Sequence, residues 1–422
     1  MQAIRTSILF IIVSLVAATC FAQQAQGPKV MLGIDVLEEM DFKPLKGRKV
    51  GLLTHPAGVN RYGKSTIDIL NEAPGVDLVA LYGPEHGIDG KAKANEYVSS
   101  YTDPRTGLPV YSLYNENRKP KPEMLKDINV MVIDLQDLGV RSYTYVSAMR
   151  KTIEACFEAG IPVVILDRPN PLGGLKVDGP PLEAHLKSYV GAYRVPYVHG
   201  LTIGELAKMS KQVPGVLEVS EEVRKRGKLY VIPMKGWTRD MKWPDTGLGW
   251  VPTSPAIPDL SAALGYSMSG LGAQLGDFSH GYGSPFPFRL LNHPAKTPQE
   301  LSMVLDGHNI AGLKFKPVRG VGVDGKNYSG VYVILDDWDS LRPTELSFHM
   351  MRLAAEWSED GNPFRNATSQ QKRLYKIHVG SEPWWTEISS KGERASVENF
   401  IDEWTIMAKR FQDQSKSLWL YK

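Results

Sequence analysis

Four short apolar runs in this sequence each end on residues that can move a proton or hold an anion. KVGLLTH (49–55) ends on His55, and VDLVALYGPEH (76–86) ends on Glu85 and His86. INVMVIDLQD (128–137) ends on Asp134 and Asp137, and IPVVILDRPNP (161–171) carries Asp167, Arg168 and Asn170. Two carboxyl groups facing each other across a cleft suit glycoside hydrolysis. One protonates the leaving oxygen, and the second acts as nucleophile or base. Glu85 follows an apolar strand between Gly83 and Gly87, a setting that withdraws water from the carboxyl group as a general acid requires. It is the candidate acid, with Asp134 or Asp137 as the candidate second carboxylate. Each of these residues, taken singly, fits a plainer use as a helix cap or turn former equally well.

The elements that position them follow from the pattern. The four runs are near-continuous Val, Ile and Leu, which suits strands buried on both faces of a parallel sheet. KSTIDILNEA (64–73) separates the first two as a helix. YVSAMRKTIEACFEAG (145–160) precedes the fourth, with Val146, Met149, Ile153 and Cys156 at helical spacing and Gly160 as its stop. Alternating strand and helix predicts an α/β doubly wound domain, whose ligands bind outside the carboxyl ends of the strands. Those are the ends at which the polar residues collect. TIGE (202–205) and TPQE (297–300) are capping boxes for later helices. Residues 235–290 are rich in Gly, Pro and aromatics and are expected as loops across the mouth of the cleft. From about Leu290, a helix, two strands (LKFKPV, GVYVILDD), a helix from near Thr344 and an amphipathic tail from Ser396 predict a smaller α/β domain.

Other chemistries leave weaker traces. The glycines of PNPLGGLKVDG lack the spacing of a dinucleotide or phosphate loop, so no cofactor is expected. No H-E-x-x-H occurs; His86, Asp134 and Asp137 would hold a hard cation only as a non-specific set. GYSMSG (265–270) resembles a nucleophile elbow but lacks a strand before it. Lys and Arg number 49 against 46 Asp and Glu, a net charge of +3 with no basic stripe, which gives no reason to expect nucleic acid.

The N-terminus differs from the rest. Arg5 precedes ILFIIVSLVAATCFA, and QQAQG follows, which reads as a signal peptide over residues 1–22 and places the mature protein in the periplasm or outside the cell. A competing reading makes Cys20 a lipid-anchored cysteine. No other segment is apolar enough to span a membrane, and Cys156 reads as a buried structural thiol.

Seven motifs occur in order: GPEHG (83–87), TGLPVYSLY (106–114), DLQDLGVRSYTY (134–145), LDRPNPLGG (166–174), DGPPLE (178–183), VPYVHGLTIGELA (195–207) and MKGWTRDMKWPDTGLGWVPTSP (234–255). Together they resemble the bacterial exo-β-N-acetylmuramidase family over nearly the whole mature chain. The resemblance implies a Rossmann-like domain over 28–289, a smaller α/β domain over 290–422 and a cleft between them. It also implies release of terminal N-acetylmuramic acid, or a related amino sugar, from peptidoglycan fragments. The glutamate of GPEHG carries over onto Glu85. Where the family pattern has glutamates, this sequence has Gln274 and His280, and where it has an arginine, Tyr282. The candidate site around Glu85 then comprises His86 or Arg141 to tune it, and Asp134 or Asp137 opposite. His55, Arg141, Asp167, Arg168 and Asn170 are the candidate sugar or lactyl-carboxylate ligands, Tyr143, Trp237 and Trp250 the stacking surfaces, and His280 and Tyr282 the altered cleft loop. Two alternatives use the same residues: a cell-wall-fragment binding protein with weak or no turnover, and a metal-assisted hydrolase.

Overall fold

The computed structural model describes residues 28–92, 99–114, 117–322 and 324–422. The signal-peptide reading of 1–22 and Cys20 lie outside these residues. Among them no helix is long and apolar enough to cross a membrane.

Seven strands form one sheet: β1 (Lys49–Thr54), β2 (Asp77–Gly83), β3 (Tyr101–Thr102), β4 (Pro109–Ser112), β5 (Val130–Asp134), β6 (Val163–Leu166) and β7 (Leu229–Ile232). Their order is β3-β4-β2-β1-β5-β6-β7. All pairs are parallel except the edge pair β3–β4. The continuous apolar runs are explained by the two faces. Val50, Leu52, Val130 and Val132 pack on one side with the helices Gly33–Glu39 and Thr66–Glu72. Leu53, Met131 and Ile133 pack on the other with the helices Tyr145–Glu158 and Ile203–Gln212. Connections from β1 run outward to β2 and β4, then return to β5 on the opposite side of β1. Thr54 and Asp134 are register partners at the carboxyl end of that β1–β5 pair, so the topological switch point lies between them, where such sheets bind ligands.

A second sheet, β8 (Leu290–Leu291), β10 (Asn327–Leu335) and β9 (Leu313–Val321) in that order, is antiparallel and packs with helices Pro298–Gly307 and Glu345–Trp357. In the tail, helix Val397–Ser415 buries Val397, Ile401, Trp404 and Ala408. The 235–290 segment, expected as loops, contains helix Leu260–Ser269. Asp259 caps it by accepting from the Ala262 amide at 2.7 Å. Gly265 lets this helix touch the backbone of Phe288, where a Cβ would stand 2.8 Å from the carbonyl oxygen.

Candidate active site

Glu85 owes its position to the tight loop that ends β2. A Cβ on Gly83 would stand 3.0 Å from the Ile88 nitrogen, and His86 and Gly87 both take positive φ. His86 is buried, and its Nδ1 bonds the Ala92 carbonyl at 2.6 Å, so it shapes the loop. Glu85 is half-buried, and the Thr144 hydroxyl donates to its Oε2 at 2.9 Å from the start of helix Tyr145–Glu158.

Asp137 follows β5 at the same carboxyl edge of the sheet. Its Oδ2 accepts from the Gly139 amide at 2.9 Å and lies 3.4 Å from His199 Nε2. His199 Nδ1 accepts from the Leu201 amide at 3.2 Å, which leaves the ring proton on Nε2, facing the aspartate. Asp137 Oδ1 is buried and makes no hydrogen bond among the described residues. The charges of both acids reach Tyr266. Burial raises its phenol above the ordinary range, and the charges of Glu85 and Asp137 both add to that. Its hydroxyl bonds Ser142 Oγ at 2.8 Å, and its ring is 6.4 Å from that of Tyr143. The rings continue through Phe288 (5.0 Å from Tyr266) to His280, stacked on Phe288 at 4.5 Å. The altered loop therefore reaches the site through His280, whereas Tyr282 is exposed and Gln274 bonds the Gly270 carbonyl.

Asp134, expected as a second acid, is fully buried. It takes two bonds from Arg168 (2.5 and 2.8 Å) and one from the Thr66 hydroxyl (2.5 Å). It is the counter-ion of Arg168. Asp134 and Asp137, three residues apart, thus face different partners.

Other predicted ligands hold the fold. Arg141 is buried and donates to four carbonyls, those of Pro180, Val195, His378 and Val379. It clamps the smaller domain in place of a substrate carboxylate. Asp167 accepts from Thr202 Oγ1, the Gly204 amide and the Tyr421 hydroxyl, and burial raises its carboxyl to about 6. Asn170 bridges the Leu201 carbonyl and the Leu172 amide. Trp237 is buried edge-on to Tyr421. His55 accepts from the Gln136 amide at 2.9 Å, and burial followed by the Arg168 charge lowers it to about 3, so it is neutral. Ser267 and Ser269 of the elbow-like GYSMSG bond the carbonyls of Leu264 and Phe288. Trp250 alone among the predicted tryptophans lines a cavity, about 260 Å³, together with Arg168. Thr144, His199 and Tyr266 were not singled out from the sequence. All three sit in or beside the quoted motifs, one hydroxyl or imidazole among many, and only the fold tells them apart.

The family models for the N- and C-terminal parts of the exo-β-N-acetylmuramidase NamZ match residues 50–261 and 264–421. The peptidoglycan β-N-acetylmuramidase NamZ of Bacillus subtilis (strain 168) is 37% identical over 404 residues, covering 94% of this chain and 93% of that one. Two crystal structures of DUF1343 family proteins from Bacteroides fragilis NCTC 9343 superpose with TM-scores of 0.83 and 0.68. They are 38% and 25% identical, and each comparison covers 93% of this chain and 99% of the other.

Proposed function

Because the chain belongs to the exo-β-N-acetylmuramidase family and is a glycoside hydrolase, we propose that it removes N-acetylmuramic acid from the non-reducing end of peptidoglycan fragments. The observation that carries this reading is that Glu85, half-buried and bonded by the Thr144 hydroxyl, and Asp137, bonded on one oxygen by the Gly139 amide, both follow strands at the carboxyl edge of the sheet. Glu85 donates a proton to the glycosidic oxygen as the bond to the anomeric carbon breaks. Asp137, held on one oxygen by Gly139 and faced by His199, keeps an unbonded Oδ1 and is the carboxylate assigned to orient the N–H of the 2-acetamido group once the sugar is bound. The acetamido carbonyl, so oriented, attacks the anomeric carbon in place of a protein nucleophile, and Glu85 then deprotonates the incoming water. This route needs no glutamate at Gln274 or His280. The apolar segment in 1–22 supports work outside the cytoplasm, where such fragments arise.

The test is release from a chromogenic β-N-acetylmuramide by wild type and Glu85→Gln. Turnover equal to wild type in Glu85→Gln removes it from the acid role. Binding of muropeptide sugars without any release by wild type favours the binding-protein alternative.

A further inference from the structure

We propose that the cavity over the carboxyl ends of β1, β5 and β6 is a subsite for a carboxylate-bearing sugar, and that Arg61 takes the carboxylate. This rests on the glycosidase reading and goes further, assigning the place where an acidic sugar is told from a neutral one.

The cavity, about 260 Å³, has one aromatic wall and one polar wall. Trp243 and Trp250 meet edge-to-face at 5.0 Å and give the aromatic side. The polar side is Arg61, Arg168 and Gln136, and each carries unspent capacity. Arg61 lies over its neighbour Tyr62 at 4.8 Å, and its Nε approaches Asp35 only to 3.8 Å. Among the described residues its terminal nitrogens make no hydrogen bond, and they are not buried. Asp35 is itself committed to the amides of Leu32 and Arg61. Arg168 spends Nε and Nη2 on Asp134 and the Val59 carbonyl, which leaves Nη1. Gln136 spends its amide nitrogen on the carbonyls of Asp137 and Pro169, which leaves Oε1 as an acceptor.

Two guanidinium ends beside an amide oxygen and indole faces match one kind of ligand. The planar donors fit a carboxylate fork, the amide oxygen accepts an O–H or N–H, and the indoles cover an apolar ring face. A neutral sugar of the same size leaves the arginines unpaired, which is how a site discriminates. The rim touches the Glu85 loop. A Cβ on Gly90 would stand 2.7 Å from Pro56 Cγ, and the next residue, Ala57, lines the cavity.

Calorimetry with N-acetylmuramic acid and N-acetylglucosamine, on wild type, Arg61→Gln and Arg61→Lys, tests the assignment. A lost charge-assisted bond predicts a weakening of about 10-fold or more for the acidic sugar in Arg61→Gln. Affinity for the neutral sugar stays unchanged, and Arg61→Lys lies between. The proposal falls if wild type binds no N-acetylmuramic acid at millimolar concentration or does not prefer it to the neutral sugar. It also falls if Arg61→Gln binds the acid as wild type does or weakens both sugars equally. Chromogenic muramide turnover by wild type is scored separately. Arg61-dependent binding without turnover keeps the subsite and sinks the hydrolase reading. Turnover with Arg61-independent binding does the reverse.

Discussion

Replacing Arg141 with methionine separates the two roles this residue can have. The expectation from sequence is a substrate-carboxylate ligand, whose loss raises KM and leaves the fold alone. The structure makes it a clamp. Arg141 is 2% exposed, and its guanidinium gives four bonds to carbonyls, two of them, His378 and Val379, in the smaller domain. Hydrogen bonds from a charged donor contribute about 1.5–3 kcal/mol each, so four sum to at least about 6 kcal/mol if additive. Burial opposes this. Desolvation lowers the guanidinium from its ordinary value to about 10, which corresponds to about 3 kcal/mol against its charged form. The balance predicts that Arg141→Met loses about 3–5 kcal/mol of stability. Equilibrium urea unfolding, followed by tryptophan fluorescence, measures it. If Arg141→Met unfolds within about 1 kcal/mol of wild type while its KM for a muramide rises, the clamp argument is wrong and the ligand expectation is right.

Glu85→Gln should lower kcat by about 10²- to 10⁴-fold with little change in sugar binding, measured by steady-state release and calorimetry. Asp134→Asn should destabilise by about 3–5 kcal/mol because it leaves Arg168 charged and unpaired in the interior; unchanged urea unfolding with lost turnover would return Asp134 to a catalytic role. His55 contributes to the acid sensitivity. Its folded value of about 3 lies below 6.5, so the unfolded chain binds the extra proton, and stability declines as pH falls from about 6.5 toward 3. His55→Gln, which keeps an acceptor for the Gln136 amide, should flatten that decline in unfolding curves taken across this window. Burial raises the Cys156 thiol above its usual range, so it should resist thiol reagents until urea unfolds the chain.

The strands of the larger sheet were legible because burial on both faces leaves a run of Val, Ile and Leu that few other structures produce. β7 was not read, since Leu229–Ile232 is short and only Ile232 is fully buried. Helix Leu260–Ser269 hid among glycines and aromatics, its small residues serving close packing. At the site, the clustering of polar residues at the carboxyl edge was readable, but their division of labour was not. Asp134, Asp137 and Asp167 are alike in sequence. They differ in whether Arg168, His199 or Tyr421 faces them, and those partners come from other strands, loops and the far end of the chain.

Asp167 receives the Tyr421 hydroxyl at 2.5 Å from a residue 254 positions away, and the amide of Leu420 bonds Glu205 at 2.9 Å. During synthesis the strands of the larger sheet emerge long before the segment that completes their carboxyl edge. The carboxyl edge of the larger sheet is therefore completed by residues 420–421, and Asp167 stays uncovered until they pack against it. Chains usually mature from the N-terminus forward; here the edge formed by early strands depends on contacts from residues more than 200 positions later.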